Sequence, residues 1–226
     1  MVDTFARNHE FFGRSDVLRR LDECLLPSKD LLVASQPDRT RVGVLSGMPG
    51  LGKTETAIEY VYSRQHEFDC VFWIRAEDTG KLETDIAQIA ARLGINDASE
   101  PQSKAINRSL ALGWLTNPFK IEHRGTSTRR APASWLMVFD NADDPNIISP
   151  YKDIANCGAV LITSRDPLAK SSFSSSAVDV ELNLFDNRDA GKFLQRITRV
   201  RDHDEEAQQI GDRLGGLPIG IAQMGV

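Results

Sequence analysis

Residues 47–54 read GMPGLGKT and satisfy the spacing G-x-x-x-x-G-K followed by Ser or Thr. An apolar run at 41–46 precedes the motif, and a run with helical character at 54–65 follows it. Glycines at the fixed positions let successive backbone N–H groups point inward, and the first turn of the following helix adds the positive end of its dipole. The motif therefore predicts a strand, an anion-binding loop and a helix, in that order.

Two side chains at the end of this loop fit a polyphosphate ligand. Lys53 supplies a mobile positive charge for the outer phosphates, and the hydroxyl of Thr54 is positioned to coordinate Mg²⁺. A plain glycine turn is the alternative interpretation, and the flanking strand and helix make it the weaker one. The sequence predicts a nucleotide-phosphate site.

The stretch WLMVFDNADD at 135–144 supplies the carboxylate that such a loop needs on a neighbouring strand. Its apolar residues predict a buried strand ending at Asp140, and ligands of open parallel sheets bind at that carboxyl edge. Asp140 would hold Mg²⁺. The alternative is that Asp140 is an ordinary turn residue at the end of the strand. Asn141 follows, and its amide cannot accept a proton as a carboxylate does. We therefore expect slow hydrolysis, while the reach of Asp143 and Asp144 stays open.

Apolar strands alternate with amphipathic helices over most of the chain, which predicts an α/β fold: a three-layer sandwich with a mainly parallel sheet. Ser15 is a candidate N-cap of the first helix, and 117–134 reads as a solvated surface loop, with a phosphate or partner contact as the alternative. The predicted strands are 41–46, 70–75, 135–139, 159–163 and 177–184, and the predicted helices are 15–26, 54–65, 81–93, 103–115, 189–200 and 204–214. The predicted domains are a segment and linker at 1–40, a nucleotide-binding α/β domain at 41–185 and the truncated start of a small helical subdomain at 186–226.

Composition narrows the class of partner. The net charge of -5 argues against a general nucleic-acid or membrane-surface protein. No apolar run approaches the roughly 20 residues that span a bilayer. Cys24, Cys70 and Cys157 are far apart and odd in number, so we expect free, buried thiols in a reducing compartment and a cytoplasmic location.

Several motifs stand in an order that resembles the NB-ARC module of STAND NTPases, a branch of the P-loop NTPase fold, over nearly the whole chain. Details such as LGWLTNP at 112–118 and TSRDPLAKSS at 163–172 look most like fungal NLR-type proteins, whose NB-ARC often precedes tetratricopeptide repeats. The motifs are FFGR (11–14), GMPGLGKT (47–54), VFWIRAED (71–78), WLMVFDNADD (135–144), VLITSRDP (160–167) and GLPIGIAQ (216–223).

The resemblance implies a role for each matching residue. Arg165 would sense the γ-phosphate, and Pro218 would pack on adenine from the helical side, although an ordinary surface arginine and a plain helix break are the alternatives. The expected catalytic residues are Lys53, Asp140 and Arg165. The expected metal ligands are Thr54 and Asp140. The expected nucleotide contacts are Phe12, Gly13 and Arg14 on the adenosine side, Met48, Pro49, Gly50, Leu51, Gly52, Lys53, Thr54 and Glu55 on the phosphates, and Pro218.

These residues together suggest an ADP- or ATP-binding switch with Mg²⁺, the core of an NLR-like signalling protein in innate immunity, non-self recognition or programmed cell death. Exchange of ADP for ATP would control self-association of the full-length protein. Asn141 stands where the family usually has a second aspartate, so the chain would be at most a slow ATPase. An efficient ATPase and a nucleotide-independent scaffold remain as alternatives.

Overall fold

The computed structural model describes residues 6–27, 40–96, 103–124, 127–152, 158–166, 168–174 and 176–224. Residues 28–39 of the predicted N-terminal segment and linker, as well as Cys157, lie outside these ranges. The described part is built on a five-stranded sheet with the order β2-β5-β6-β1-β7, in which all paired strands run parallel. The strands are β1 (Arg41–Ser46), β2 (Cys70–Arg75), β5 (Trp135–Asp140), β6 (Ala159–Ser164) and β7 (Val178–Glu181).

Helices cover both faces of the sheet. The described helices are α1 (Ser15–Leu25), α2 (Lys53–Arg64), α3 (Thr79–Arg92), α4 (Lys104–Thr116), α5 (Pro145–Ile148), α6 (Ala169–Phe173), α7 (Asn187–Thr198), α8 (Asp204–Arg213) and α9 (Pro218–Met224). One core joins α1 and α2 to the sheet, and a second core joins α3 and α4 to its opposite face. The predicted three-layer α/β sandwich is thereby confirmed.

The central strands explain why the sequence folds this way. Every residue of β5 and β6 is buried, which is typical of parallel strands covered on both faces. Side chains alternate along β5: Leu136 and Val138 enter the core of α1 and α2, whereas Met137 and Phe139 enter the core of α3 and α4. Trp73, Trp114 and Trp135 are buried, as expected of core residues.

Strand order brings the predicted site motifs together. Strand β6 pairs with β1 on one side and with β5 on the other. The loop that follows β1, Asp140 at the end of β5, and Arg165 just after β6 therefore meet at the carboxyl edge of the sheet. Open parallel sheets bind their ligands at this edge.

The last three helices form a separate small core. Ala190, Leu194, Ala207 and Ile221 are its buried members, contributed by α7, α8 and α9. The sequence predicted α7 and α8 within two residues of their observed ends, but it left α9 unassigned because this helix has only 7 residues.

Three expectations are corrected. Residues 117–134 are not a loop, because β3 (Phe119–Arg124) and β4 (Ser127–Pro132) pair as an antiparallel hairpin. Ser15 is the first helical residue of α1, and the N-cap position belongs to Arg14 in a left-handed conformation. Cys24 and Cys70 are free thiols as expected, but they are only partly buried.

Within the described ranges, no helix combines the length and apolar character that crossing a membrane requires.

Candidate functional site

The loop between β1 and α2 has the backbone of an anion cradle. Gly47, Gly50 and Gly52 all have positive φ, at 143°, 83° and 85°. Space is also limiting at two of them, since a Cβ on Gly47 would lie 2.8 Å from the carbonyl oxygen of Leu182, and one on Gly50 would lie 2.6 Å from Cγ2 of Ile219. Conformation therefore favours glycine at all three positions, and packing adds a second reason at Gly47 and Gly50.

Lys53 begins α2 and is buried in this loop. Its Nζ donates hydrogen bonds to the carbonyl oxygens of Gly47 at 2.7 Å and of Met48 at 3.0 Å. Burial lowers the pKa of the Lys53 ammonium; Asp143 and Asp140 oppose this shift, and Arg165 adds to it. The lysine is thus held against the loop, in the electrostatic field of the other predicted site residues.

Asp140 and Thr54 are in direct contact. The Thr54 hydroxyl donates to Oδ1 of Asp140 at 2.8 Å, and the hydroxyl of Thr163 donates to the same oxygen at 2.7 Å. Burial raises the pKa of Asp140, and these two hydrogen bonds partly offset the increase. A carboxylate and a hydroxyl at this separation fit the oxygen ligands that Mg²⁺ prefers, and the remaining positions would go to water and phosphate oxygens.

Asn141 turns the chain away from the end of β5. Its φ is 59°, a left-handed conformation that asparagine tolerates better than most residues. Its backbone N–H donates to the hydroxyl of Thr163 at 2.9 Å, so one threonine fixes both Asn141 and Asp140. The residue lines the same cavity as Lys53 and Thr54.

Arg165 is bound to Asp143 across the ends of β6 and β5. The backbone N–H of Arg165 donates to Oδ1 of Asp143 at 2.7 Å, and its Nε donates to Oδ2 at 2.6 Å. Burial alone would raise the pKa of Asp143, but the hydrogen bonds and charge of Arg165 outweigh it and the net shift is downward. The carboxylate is therefore ionised at neutral pH.

Aromatic side chains form a wall next to the loop. Phe12 stacks on Phe193 with ring centroids 5.8 Å apart, and it meets Phe185 edge to face at 5.9 Å. The Arg14 guanidinium lies over the Phe185 ring at 4.5 Å, and its Nη2 donates to the carbonyl oxygen of Leu51 at 3.3 Å. Burial lowers the pKa of Arg14. An apolar, aromatic wall with a few polar groups suits a flat heterocycle.

Helix α9 closes over the loop. The backbone N–H of Ile219 donates to the carbonyl oxygen of Gly50 at 3.2 Å, and the N–H of Phe185 donates to that of Gly216 at 2.9 Å. These two bonds hold the start of α9 against the loop and the aromatic wall. Pro218, the first residue of α9, lines the space between them.

The phosphate loop, the aromatic wall and the start of α9 line one cavity of about 880 Å³. Most of the residues predicted to bind nucleotide or metal line this cavity, but Gly13, Met48 and Asp140 are not among its lining residues. The predicted residues on the wall are Phe12, Arg14, Pro49, Gly50, Leu51, Gly52, Lys53, Thr54, Glu55, Arg165 and Pro218. Lining residues that the sequence did not indicate are Asn8, Glu10, Phe11, Glu77, Phe185, Phe193, Ile219 and Ala222.

A model of a known protein family matches most of the chain. The family model of the NB-ARC domain matches residues 28–204. No curated protein sequence matches the chain.

Among known structures, Cdc6p from Pyrobaculum aerophilum is similar with a TM-score of 0.62, 16% identity and coverage of 99% of this chain and 62% of that one. The Aeropyrum pernix Orc1 protein in complex with DNA has a TM-score of 0.59, 17% identity and coverage of 98% and 60%. A STAND protein with a tetratricopeptide repeat sensor from Pyrococcus horikoshii has a TM-score of 0.52, 15% identity and coverage of 94% and 29%. At these identities the likeness is one of fold, and the chain spans less than two thirds of each of these proteins.

Proposed function

The chain belongs to the NB-ARC domain family, and from this premise we propose that its cavity binds ADP and ATP and acts as a molecular switch. The observation that carries the proposal is the composition of the cavity wall. Phosphate-loop residues, an aromatic wall and the start of α9 line one continuous space. A ligand that fills it touches the sheet domain and the helical residues at the same time.

Each part of the wall suits one part of an adenine nucleotide. The amides of residues 47–54 and the Lys53 ammonium would hold the phosphates, because aligned N–H groups and a buried cation are strong anion ligands. Phe12, Arg14 and Pro218 would enclose the adenosine. Thr54 and Asp140 would hold Mg²⁺, which neutralises phosphate charge when it is bound.

ADP would stabilise the closed arrangement that α9 makes with the loop. ATP adds one phosphate at the carboxyl edge of the sheet, where Arg165 would sense it. Ligand at about 1,000 times its Kd contributes roughly 4 kcal/mol to the state that binds it. A full population swing from 1:99 to 99:1 needs about 5.5 kcal/mol, so differential binding of two nucleotides supplies energy of the required size.

Turnover would be slow, because Asn141 provides no proton-accepting carboxylate after Asp140. This favours a switch over the alternative of an efficient ATPase. Residues 186–226 would form the start of a helical subdomain that reports nucleotide state to the rest of a longer protein. A role in NLR-like signalling, innate immunity, non-self recognition or cell death, self-association of that longer protein and a cytoplasmic location are parts of this proposal. A net charge of -5 makes nucleic-acid binding the weaker hypothesis.

The first test is ADP binding by isothermal calorimetry on the wild type and on Lys53→Ala. Loss of a buried ammonium beside phosphate should weaken ADP binding by about tenfold or more. Lys152→Ala removes an exposed lysine away from the cavity and serves as the matched control, with unchanged affinity. A wild-type protein that binds neither ADP nor ATP would favour the nucleotide-independent scaffold instead.

A further inference from the structure

We infer that Asp143 is a specificity-determining residue that biases the cavity toward a nucleoside diphosphate over a triphosphate, by occupying Arg165 and by holding negative charge where an outer phosphate would come. The inference rests on the proposed nucleotide-binding function. It adds a residue that neither the phosphate-loop motif nor the predicted metal and sensor residues include.

The Asp143 carboxylate holds Arg165 at two points, and we call this contact the clamp. Both carboxylate oxygens are used: Oδ1 accepts from the backbone N–H of Arg165 at 2.7 Å, and Oδ2 accepts from its Nε at 2.6 Å. One carboxylate therefore fixes both the backbone and the guanidinium of the predicted phosphate sensor.

The clamp lies inside the cavity, close to the phosphate loop. Asp143 and Arg165 both line the wall together with Lys53. Burial lowers the pKa of Lys53, and the charge of the Asp143 carboxylate opposes that shift. Any phosphate that extends past Lys53 toward Arg165 also approaches the Asp143 carboxylate.

Four other carboxylates line the same cavity, those of Glu10, Glu55, Glu77 and Asp144, and no contact of theirs with Arg165 is found among the described residues. Three of them, Glu10, Glu77 and Asp144, are hydrogen-bonded to other groups. Their partners are Arg196 for Glu10, Lys81 for Glu77 and the backbone N–H of Asn146 for Asp144. Within the described residues, Asp143 is the carboxylate found on the Arg165 guanidinium.

The charge balance gives the direction of the effect. ATP carries one more phosphate than ADP, and a fixed carboxylate repels that added negative charge. To bind the Arg165 guanidinium, the γ-phosphate must also displace the Asp143 carboxylate from it. Because the Arg165 side chain is 59% exposed, solvent screens the pair and it can be exchanged. Both effects disfavour ATP and leave ADP, which ends before Arg165, largely unaffected.

The test is the ratio of ATP to ADP affinity, measured by calorimetry with Mg²⁺ present. Asp143→Asn keeps the size of the side chain and one acceptor oxygen, but it removes the charge. We expect the ratio to shift toward ATP by about tenfold, mainly through tighter ATP binding. Asp143→Glu keeps the charge and should retain the wild-type preference.

Asp144→Asn is the matched control. It removes the same charge from the neighbouring position of the wall, and an asparagine can still cap α5. Its effect on the ratio should be smaller, since Asp144 does not contact Arg165.

Each outcome decides the question. An unchanged or lowered ratio in Asp143→Asn, with ADP affinity retained as proof of a folded site, would overturn the inference and leave the proposed function standing. An equal shift in Asp144→Asn would replace the clamp with a general charge effect and would also overturn it. If the wild type bound neither nucleotide, both the inference and the proposed function would fail.

Discussion

Asn141 is the residue whose chemistry most limits what this site can do. Its backbone is well suited to asparagine, with φ at 59° and an N–H bound to Thr163. Its side chain is exposed on the cavity wall, next to the buried Asp140. The position is thus available to a catalytic group, and it holds an amide that cannot take a proton from water.

Replacing Asn141 with aspartate should therefore increase ATP hydrolysis. Aspartate tolerates the same left-handed backbone and keeps the N–H bond to Thr163. A correctly positioned base contributes about 10²-fold or more, so an unoptimised carboxylate should give an increase of about tenfold. The measurement is phosphate release under saturating ATP.

Asn187→Asp makes the same chemical change at the exposed first residue of α7 and should leave the rate unchanged. A slower enzyme in Asn141→Asp would contradict the switch and support the efficient ATPase, because the native amide would then be part of a working catalytic site.

Sequence reasoning worked best for residues tied to a motif of fixed spacing. Lys53, Thr54 and Asp140 were predicted from such patterns, and the structure brings all three together at one edge of the sheet. Phe185 and Phe193 were missed because an aromatic wall assembled from distant segments leaves no local pattern. Asp143 was left open for the same reason: its partner, Arg165, follows a different strand, β6.

Among the secondary-structure elements, α9 connects the helical residues to the cavity, because Pro218, Ile219 and Ala222 line its wall. It follows a turn in which Gly215 and Gly216 both have φ of 65°. A Cβ on Gly216 would lie 2.2 Å from the carbonyl oxygen of Phe185, whereas a Cβ on Gly215 would have no neighbour within 4 Å. The two glycines share a backbone conformation but differ in the room available for a Cβ. Substituting each in turn therefore separates backbone strain from steric contact.

Gly216→Ala should therefore detach α9 from the loop and the aromatic wall. We expect ADP affinity to fall by about tenfold or more, as the hydrogen bond from Phe185 to Gly216 is forced apart. Calorimetry measures the affinity, and limited proteolysis after α8 would report the released helix.

Gly215→Ala carries only the conformational strain of a positive φ, about 1 kcal/mol of folding stability, and should keep its ADP affinity. Equal losses of affinity in the two variants would mean that strain, not the contact with Phe185, governs the position of α9.

Besides the short helices α5, α6 and α9, the sequence did not predict the β3–β4 hairpin. Its residues lack an apolar face, and Ile121 is exposed, so no periodic signal marks the strands. Backbone pairing and local contacts hold it instead: Arg130 lies over the ring of Phe119 at 4.4 Å, and Trp114 Nε1 donates to the carbonyl of Phe119 at 3.1 Å. The buried strands were predictable because burial on both faces demands continuous apolar sequence.

At the scale of the whole molecule, apolar burial is unevenly distributed. The two cores on the sheet are large, while the core of α7, α8 and α9 has four buried residues among those that the structure describes. Regions with few buried contacts open more readily than the global fold. The helical residues therefore depend on their contacts with the cavity wall, and on any ligand that joins both sides of it.

Hydrogen exchange should reveal this difference. Without nucleotide, amides of α8 should exchange faster than those of β5 and β6. Saturating ADP should slow α8 by up to about 10³-fold, as expected for ligand at about 1,000 times its Kd. Helix α4 packs on the far face of the sheet and serves as the internal control. Protection confined to the phosphate loop, with α8 unchanged, would contradict a ligand that joins the two sides.

The hydrogen bond from Ile219 to Gly50 has a wider implication. Both of its groups belong to the main chain, so the bond does not depend directly on the identity of the side chains around it. Substitutions on the exposed side of α9 would therefore leave the bond between this helix and the phosphate loop in place.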